Sequence, residues 1–148
     1  MSRLLNNLTR DLSASDDILL LGVGLEGESS LRFLRERLPA VKVAIADRRD
    51  VGDWPRAYVG EDYLKALDER FDLVIKSPGV PLRKLGIDPA AHEFTSQSEL
   101  FLRHFAANSI GITGTKGKST VTTLIAHIFR VAGMDAMARS EEHTSELQ

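Results

Sequence analysis

The fold is decided by the stretch Ile18-Leu19-Leu20-Leu21-Gly22-Val23-Gly24-Leu25-Glu26-Gly27. Its apolar run predicts a buried central strand, and its glycines predict a tight turn into a helix. A second predicted strand, residues 41–46, is followed directly by Asp47, 20 positions after Gly27. In this G-x-G-x-x-G arrangement, backbone N–H groups at the helix start hold a diphosphate and the carboxylate accepts hydrogen bonds from a ribose. A strand-to-helix turn that binds no ligand is the alternative.

Along the rest of the chain, short β-branched runs alternate with stretches of helical period, which predicts an α/β fold with a parallel sheet. The further predicted elements are strands at 57–59 and 71–75, helices at 28–38 and 61–69, and a loop with one helical turn over 83–92.

The end of the first unit is marked by a helix start and a boundary. Ser96 and Glu99 have the spacing of a capping box, so a helix is predicted to begin there. Its predicted buried face comprises Leu100, Phe101 and Phe105. Residues 106–109 are expected to separate two units.

Composition excludes several classes of protein. The chain has 148 residues, of which 43% are hydrophobic and 27% charged, as in globular domains. The absence of cysteine excludes disulfides, a thiolate nucleophile and cysteine-ligated zinc. A net charge of −2 gives no electrostatic reason to expect nucleic acid or a membrane as a partner. Residues 1–17 lack the apolar core of a secretory signal, and no apolar stretch approaches the roughly 20 residues of a membrane helix, so a cytoplasmic protein is expected.

A second glycine loop, Gly114-Thr115-Lys116-Gly117-Lys118-Ser119-Thr120, follows a predicted strand at 110–113. Such a loop presents backbone N–H groups, a lysine and a hydroxyl to a polyphosphate and its metal ion. Lys118 is predicted to neutralise the β- and γ-phosphates, and Ser119 or Thr120 to ligate Mg²⁺. The G-x-x-x-x-G-K-[ST] pattern is incomplete, because Ile112 occupies its first position.

The helix after this loop is predicted to end at Gly133. Its apolar stripe consists of Val121, Leu124, Ile125, Ile128, Phe129 and Ala132. Residues 134–138 are predicted to begin another strand. Because one strand and one helix cannot bury their own apolar faces, residues 108–138 are expected to dock loosely on the first domain or to fray.

Together the two loops make the sequence resemble the Mur ligase family over residues 18–137. The first glycine loop, the Ser77-Pro78-Gly79 turn and residues 112–120 occur in the order of that family. The Lys118-Ser119-Thr120 segment, followed by residues 121–124, and Glu99-Leu100-Phe101 are most similar to the members that add glutamate to UDP-N-acetylmuramoyl-L-alanine. The resemblance implies a Rossmann-like domain over residues 1–107 and the truncated start of a central ATPase domain over 108–138.

The resemblance also implies the residues that bind each substrate. The UDP-sugar is expected at Gly24, Leu25, Glu26, Gly27, Asp47, Arg48, Arg49, Ser77, Pro78 and Gly79. ATP with Mg²⁺ is expected at residues 114–120, Lys116 included, with Lys118 as the catalytic residue. ATP would phosphorylate the substrate carboxylate, and the amine of glutamate would attack the acyl phosphate, in a monomer that serves peptidoglycan precursor synthesis. Glu26 and Arg48 depart from the family pattern, in which a small hydroxyl residue and threonine are common.

The last ten residues, 139–148, look like the in-frame translation of a sequencing-library adapter, so a non-native tail is expected, and a genuine acidic helix is the alternative. Because most of the catalytic machinery of such ligases cannot be located in this sequence, a fragment without ligase activity is expected. Three other functions stay open. An NADP-binding module would use Asp47 for a ribose and Arg48 with Arg49 for a 2′-phosphate, but it leaves the second loop without a purpose. A UDP-sugar sensor without chemistry and another member of the Mur ligase family are the other two possibilities.

Overall fold

The computed structural model of the chain describes residues 2–52 and 54–138. The chain divides into two units, Met1–Asn108 and Ser109–Gln148, which are taken in turn. The α-helices of the first unit are α1 (Ser2–Leu12), α2 (Leu25–Arg37) and α3 (Gln97–Phe105). Its strands are β1 (Asp17–Leu21), β2 (Lys42–Asp47), β3 (Ala57–Val59), β4 (Leu73–Lys76) and β5 (Phe94–Thr95). Its 3₁₀ helices are Tyr63–Asp68, Leu82–Leu85 and Ala106–Asn108.

The five strands lie parallel in the order β3-β2-β1-β4-β5. β1 pairs with β2 on one side and with β4 on the other, so Leu20 lies opposite both Ile45 and Ile75. Because neighbouring strands cover both of its edges, β1 is buried from Ile18 to Leu21, each at most 1% exposed. The predicted Rossmann-like α/β sheet with a buried central strand is confirmed.

Successive side chains of β1 point to opposite faces of the sheet. Leu20 packs in a core that includes Leu34 of α2. Leu21 packs in a second core that includes Ala66 and Leu82, which belong to two 3₁₀ helices. The helix predicted at 61–69 is present as the shorter 3₁₀ helix Tyr63–Asp68.

Two elements lie where the sequence predicts none. α1 places Leu12 in the core and contacts α3, although residues 1–17 look polar as a whole. β5 pairs only Phe94 and Thr95 with β4, which is too short a strand to produce an alternating pattern.

The predicted buried face of α3 is only partly correct. Leu100 is buried, and His104, one helical turn further on, keeps only 9% of its side chain exposed. Phe101 is 48% exposed, because each helical residue is rotated by about 100° from the previous one and Leu100 already faces the core. Phe101 instead stacks on Phe105, with ring centroids 4.9 Å apart.

The one tryptophan of the chain ties a loop to the sheet of the first unit. The indole Nε1 of Trp54 donates a hydrogen bond to the carbonyl of Val43 in β2 at 3.2 Å. The Arg35 guanidinium of α2 lies 3.9 Å from the indole ring centroid, a cation–π contact. The side chain therefore links the loop after β2 to both a strand and a helix.

The described part of the second unit contains the helix α4 (Lys118–Val131). Gly133, with φ +74°, follows its last turn and donates to the carbonyl of Arg130, which confirms the predicted helix end. The predictions of a strand at 110–113 and of another beginning at 134–138 are wrong. A strand needs a partner strand, and residues 109–138 contain none.

Several residues of the predicted apolar stripe of α4 are exposed, among them Leu124 and Ile128, whereas Ala126 is buried. Within the two described ranges, no helix has both the length and the apolar content to cross a bilayer. The predicted non-native tail lies outside the described residues, and the bounds and roles assigned to the two domains stay predictions.

Replacing Ser96 with alanine is expected to lower the free energy of unfolding by about 1 kcal/mol. The reason is that Ser96 Oγ accepts the N–H of Glu99 at 3.1 Å and so caps α3, as the capping box predicts. Urea denaturation followed by circular dichroism measures the loss. Ser98→Ala, at an exposed position of the same helix, is the matched control and should change stability by less than about 0.5 kcal/mol. Equal losses in the two variants would contradict the capping role.

Candidate functional site

The first glycine loop lies at the carboxyl end of β1, between the ends of two neighbouring strands. The N–H of Gly22 donates to the carbonyl of Ala46 at 2.7 Å, and the N–H of Ser77 donates to the carbonyl of Leu21 at 2.8 Å. The fold therefore brings the glycine loop, Asp47 and the Ser77 turn to one edge of the sheet. In doubly wound sheets ligands bind at this edge, next to the strand where the order reverses.

Each of three glycines in the loop has a different environment. A Cβ on Gly22, whose φ is +87°, would lie 2.9 Å from Ser77 Cβ. A Cβ on Gly27 would lie 2.6 Å from the carbonyl oxygen of Gly22, so only glycine lets α2 start this close to β1. A Cβ on Gly24 would meet no atom within 4 Å. The loop is therefore tightly packed at its two ends and open at Gly24.

Asp47 ends β2 and is 7% exposed. Its Oδ2 accepts the N–H of Val23 at 2.6 Å, and its Oδ1 accepts the N–H of Arg49 at 2.8 Å. Burial alone would raise the pKa of Asp47, but these two N–H groups and the Arg49 guanidinium outweigh it and hold the pKa below its ordinary value of 3.8. The carboxylate is therefore charged at neutral pH and ties β2 to the glycine loop.

The two arginines after Asp47 have different partners. Arg49 Nη2 donates to the carbonyl of Val23 at 2.9 Å, and Arg49 Nε lies 3.4 Å from Asp47 Oδ1. Arg48 pairs instead with the exposed Glu61, whose two carboxylate oxygens lie 2.7 and 3.0 Å from Nη2. The sequence does not point to Glu61, because it lies 13 positions further along and in no motif.

The Ser77-Pro78-Gly79 segment is a tight turn after β4. The carbonyl of Ser77 accepts the N–H of Val80 at 3.1 Å, and Ser77 Oγ accepts the N–H of Gly79 at 3.2 Å. Lys76, the last residue of β4, donates from Nζ to the same Ser77 carbonyl at 3.3 Å. Lys76 is a cation at this edge that sequence reasoning missed, although a lysine that ends a strand just before such a turn is a usable signal.

A narrow cleft of about 10 Å³ lies between the glycine loop and this turn, lined in part by Glu26, Lys76 and Gln97. It has room for about one water molecule and not for a nucleotide. The Nε2 of Gln97, the first residue of α3, is 3.5 Å from the carbonyl of Glu26. A nucleotide would therefore have to lie across the open side of the loop, at Gly24 and at Leu25, which is 67% exposed.

A groove of about 420 Å³ lies at the opposite edge of the sheet, lined by residues 67–71 and 90–93, which precede β4 and β5. None of the residues predicted for substrate binding lines it. Because ligands of such sheets bind at the carboxyl ends of the strands, this groove is not part of the candidate site.

The second glycine loop, described by itself, leads directly into α4. Gly117 precedes the helix with φ +77°, a left-handed conformation that favours glycine, and its carbonyl accepts the N–H of Val121 at 3.0 Å. The ammonium of Lys118 donates to the carbonyl of Gly114 at 3.0 Å, across the loop. The Lys118 side chain thus lies across the loop and does not enter an apolar core.

The backbone around this loop is suited to an anion. Within residues 2–52 and 54–138, the N–H groups of Thr115, Lys116 and Gly117 donate to no backbone carbonyl. They lie just before the N-terminus of α4, where the helix dipole favours negative charge. In the same described ranges, no three His, Asp or Glu side chains converge to hold a metal ion.

Curated relatives match most of this chain. The UDP-N-acetylmuramoyl-L-alanine–L-glutamate ligase of Xanthomonas axonopodis pv. citri is 36% identical over 131 residues. The UDP-N-acetylmuramoylalanine–D-glutamate ligases of Streptococcus gordonii and Streptococcus pneumoniae serotype 2 are 31% and 33% identical over 137 and 133 residues. The chain is a homologue of the Mur ligases.

The three alignments with these Mur ligases take in 78%, 84% and 81% of this chain, but only 28%, 30% and 29% of the relatives. The chain thus spans less than a third of the length of the curated relatives it matches. No protein-family model matches the chain, and no solved structure gives a significant match. The resemblance to Mur ligases is confirmed, whereas the substrate contacts that it implies for individual residues stay predictions.

Gly27→Ala is expected to destabilise the first unit by about 1–3 kcal/mol, because the new Cβ overlaps the Gly22 carbonyl oxygen. Helix propensity alone predicts the opposite sign, a gain of about 1 kcal/mol. Equilibrium denaturation decides between them. Gly24→Ala is the matched control, since its Cβ enters open space, and it should shift stability by less than about 0.5 kcal/mol. A stabilised Gly27→Ala protein would refute the close contact.

Proposed function

We propose that this chain is the nucleotide-binding part of a Mur-type ligase that acts in peptidoglycan precursor synthesis. The first unit binds the UDP group of UDP-N-acetylmuramoyl-L-alanine, and residues 114–120 bind ATP. The observation that carries the proposal is the glycine loop at the carboxyl end of β1, closed at Gly22 and Gly27 and open at Gly24. The names of the curated relatives support the choice of substrate.

The diphosphate is proposed to lie against the start of α2. Gly24 and Leu25 begin this helix, where backbone N–H groups and the helix dipole favour an anion. Lys76 adds a positive charge to the cleft beside the loop, which offsets the carboxylate of Glu26. The ribose or the base then lies towards Asp47, at the end of the neighbouring strand.

ATP is proposed to bind where Lys118 now contacts the loop. Its phosphates accept the N–H groups of residues 115–117 and draw the Lys118 ammonium away from the Gly114 carbonyl. Mg²⁺, a hard cation that prefers oxygen, would be held by phosphate oxygens together with the hydroxyl of Ser119 or Thr120, and it would neutralise phosphate charge.

The proposed reaction has two steps. A carboxylate oxygen of the UDP-sugar substrate attacks the γ-phosphorus of ATP, and the bond to ADP breaks. The amine of glutamate then attacks the acyl carbon, phosphate leaves, and an amide forms. Lys118 stabilises the negative charge on the phosphates in the first step. Relatives named for L-glutamate and for D-glutamate both match this chain, so the configuration of the added residue stays open.

The NADP alternative requires Arg48 and Arg49 to hold a 2′-phosphate together. In the structure Arg48 is paired with Glu61, and Arg49 is bound to Asp47 and to the carbonyl of Val23. The two guanidinium groups therefore have different partners and are not held together around one anion site, which favours the UDP-sugar as the ligand.

Isothermal titration of the 148-residue chain is expected to show binding of UDP-N-acetylmuramoyl-L-alanine and none of NADP. Gly24→Ala should weaken this binding by at least about tenfold with stability unchanged, because its Cβ enters the space proposed for the diphosphate. Gly111→Ala, whose Cβ also meets no atom within 4 Å, is the control and should bind as the wild type does. Binding of NADP, or none of the UDP-sugar, would refute the proposal.

Lys118→Ala is expected to weaken binding of a non-hydrolysable ATP analogue with Mg²⁺ by about tenfold or more, because the ammonium neutralises phosphate charge. Titration calorimetry with the full chain measures the affinity. Lys84→Ala removes the same charge from an exposed position in the 3₁₀ helix Leu82–Leu85 and should leave the affinity unchanged. If both variants bind equally well, Lys118 is not a phosphate ligand.

A further inference from the structure

Val23, between two glycines of the first loop, is held from three sides. Its side chain is buried in the core, 7% exposed. Its N–H donates to Asp47 Oδ2 at 2.6 Å, and its carbonyl accepts Arg49 Nη2 at 2.9 Å. Both peptide groups that flank Val23 are therefore fixed by charged side chains.

Arg49 closes this arrangement into a ring. Its backbone N–H donates to Asp47 Oδ1 at 2.8 Å, its Nε lies 3.4 Å from the same oxygen, and its Nη2 reaches back to Val23. Hydrogen bonds with an ionised partner are about twice as strong as neutral ones. The ring therefore links the end of β2 to the loop more firmly than the Asp47–Val23 bond alone.

We infer that Arg49 is a positioning residue of the UDP site, which shapes the glycine loop through Val23 and Asp47 before any ligand binds. The inference rests on the proposed function of this loop. Because the Val23 N–H is used by Asp47, the amides available to a diphosphate are those that follow it, at Gly24 and the start of α2. A loop fixed in this shape does not have to be ordered by its ligand, and this raises affinity.

The adjacent Arg48 does not share this role, because it pairs with Glu61. A comparable arginine at the opposite edge of the sheet provides a control. Arg56 binds Asp17 through Nη1 at 2.7 and 2.8 Å and lies 3.3 Å from Glu69, so its removal also breaks ion pairs in the first unit. Arg56→Gln therefore shows how the loss of ion pairs far from the glycine loop affects ligand affinity.

The first test compares the affinities of Arg49→Gln, Arg49→Lys and Arg56→Gln for UDP-N-acetylmuramoyl-L-alanine by calorimetry. Arg49→Gln should bind about tenfold more weakly, the effect of losing a hydrogen bond from a charged donor. Arg49→Lys, which keeps the charge but has a single donor group, should fall between this variant and the wild type. Arg56→Gln should lose stability and bind as tightly as the wild type.

The second test needs no ligand and follows the Val23 amide by NMR as pH is lowered. The amide is bonded to Asp47, so its chemical shift should change as that carboxylate takes up a proton. In the wild type the midpoint should lie below pH 3.8, because the N–H groups of Arg49 and Val23 and the Arg49 guanidinium outweigh burial and lower the pKa of Asp47. Arg49 is the charged group that faces Asp47, so Arg49→Gln should move the midpoint upward and Arg56→Gln should not.

The two tests separate the failure of the inference from that of the proposed function. If the wild type does not bind the UDP-sugar, the proposed function fails, and with it the part of the inference that concerns ligand affinity. An unchanged Val23 midpoint in Arg49→Gln overturns the inference whether or not the ligand binds. The inference is also overturned if Arg49→Gln binds as tightly as the wild type. It is overturned as well if Arg56→Gln loses as much affinity as Arg49→Gln does.

Discussion

The pairing of β1 with both β2 and β4 is the constraint on which the first unit depends. Since a strand with partners on both edges is shielded from water, residues 18–21 can be apolar without interruption. The same pairing decides where the site lies. When the chain leaves the sheet at Gly22, the end of β2 is on one side and the Ser77 turn on the other.

At this edge of the sheet, the charged side chains of Asp47 and Arg49 hold the backbone of the first glycine loop in place. One carboxylate oxygen of Asp47 accepts the N–H of Val23 in the loop, and the other accepts the backbone N–H of Arg49. The guanidinium of Arg49 in turn donates to the carbonyl of Val23. An anionic ligand therefore meets a site in which one carboxylate is already neutralised by its own arginine. Under the proposed function, Lys76 and the start of α2 would be the groups that face the diphosphate.

The sequence predicts those parts of the structure that depend on local pattern. The apolar run of β1, the two glycine loops and the capping box at Ser96 carry strong local signals, and the structure agrees at each of them. Features that depend on distant partners were missed or wrong. The segment 110–113 has the composition of a strand, but residues 109–138 contain no strand to pair with it. Arg48 pairs with Glu61, and Arg49 bonds to the carbonyl of Val23, because the fold brings these groups together. Two consecutive arginines in a sequence do not show which partner each one will have.

The position of Trp54 gives the molecule an internal optical label. Its indole contacts β2 and α2, and the chain has no second tryptophan. Fluorescence that is excited at wavelengths where only tryptophan absorbs therefore comes from Met1–Asn108. Unfolding of that unit separates the indole ring from Arg35 and exposes the ring to water, which changes the emission. The helix α4 contains no tryptophan, and its unfolding is followed by ellipticity. Recording both signals on one sample therefore resolves the cooperativity of the two units without cutting the chain.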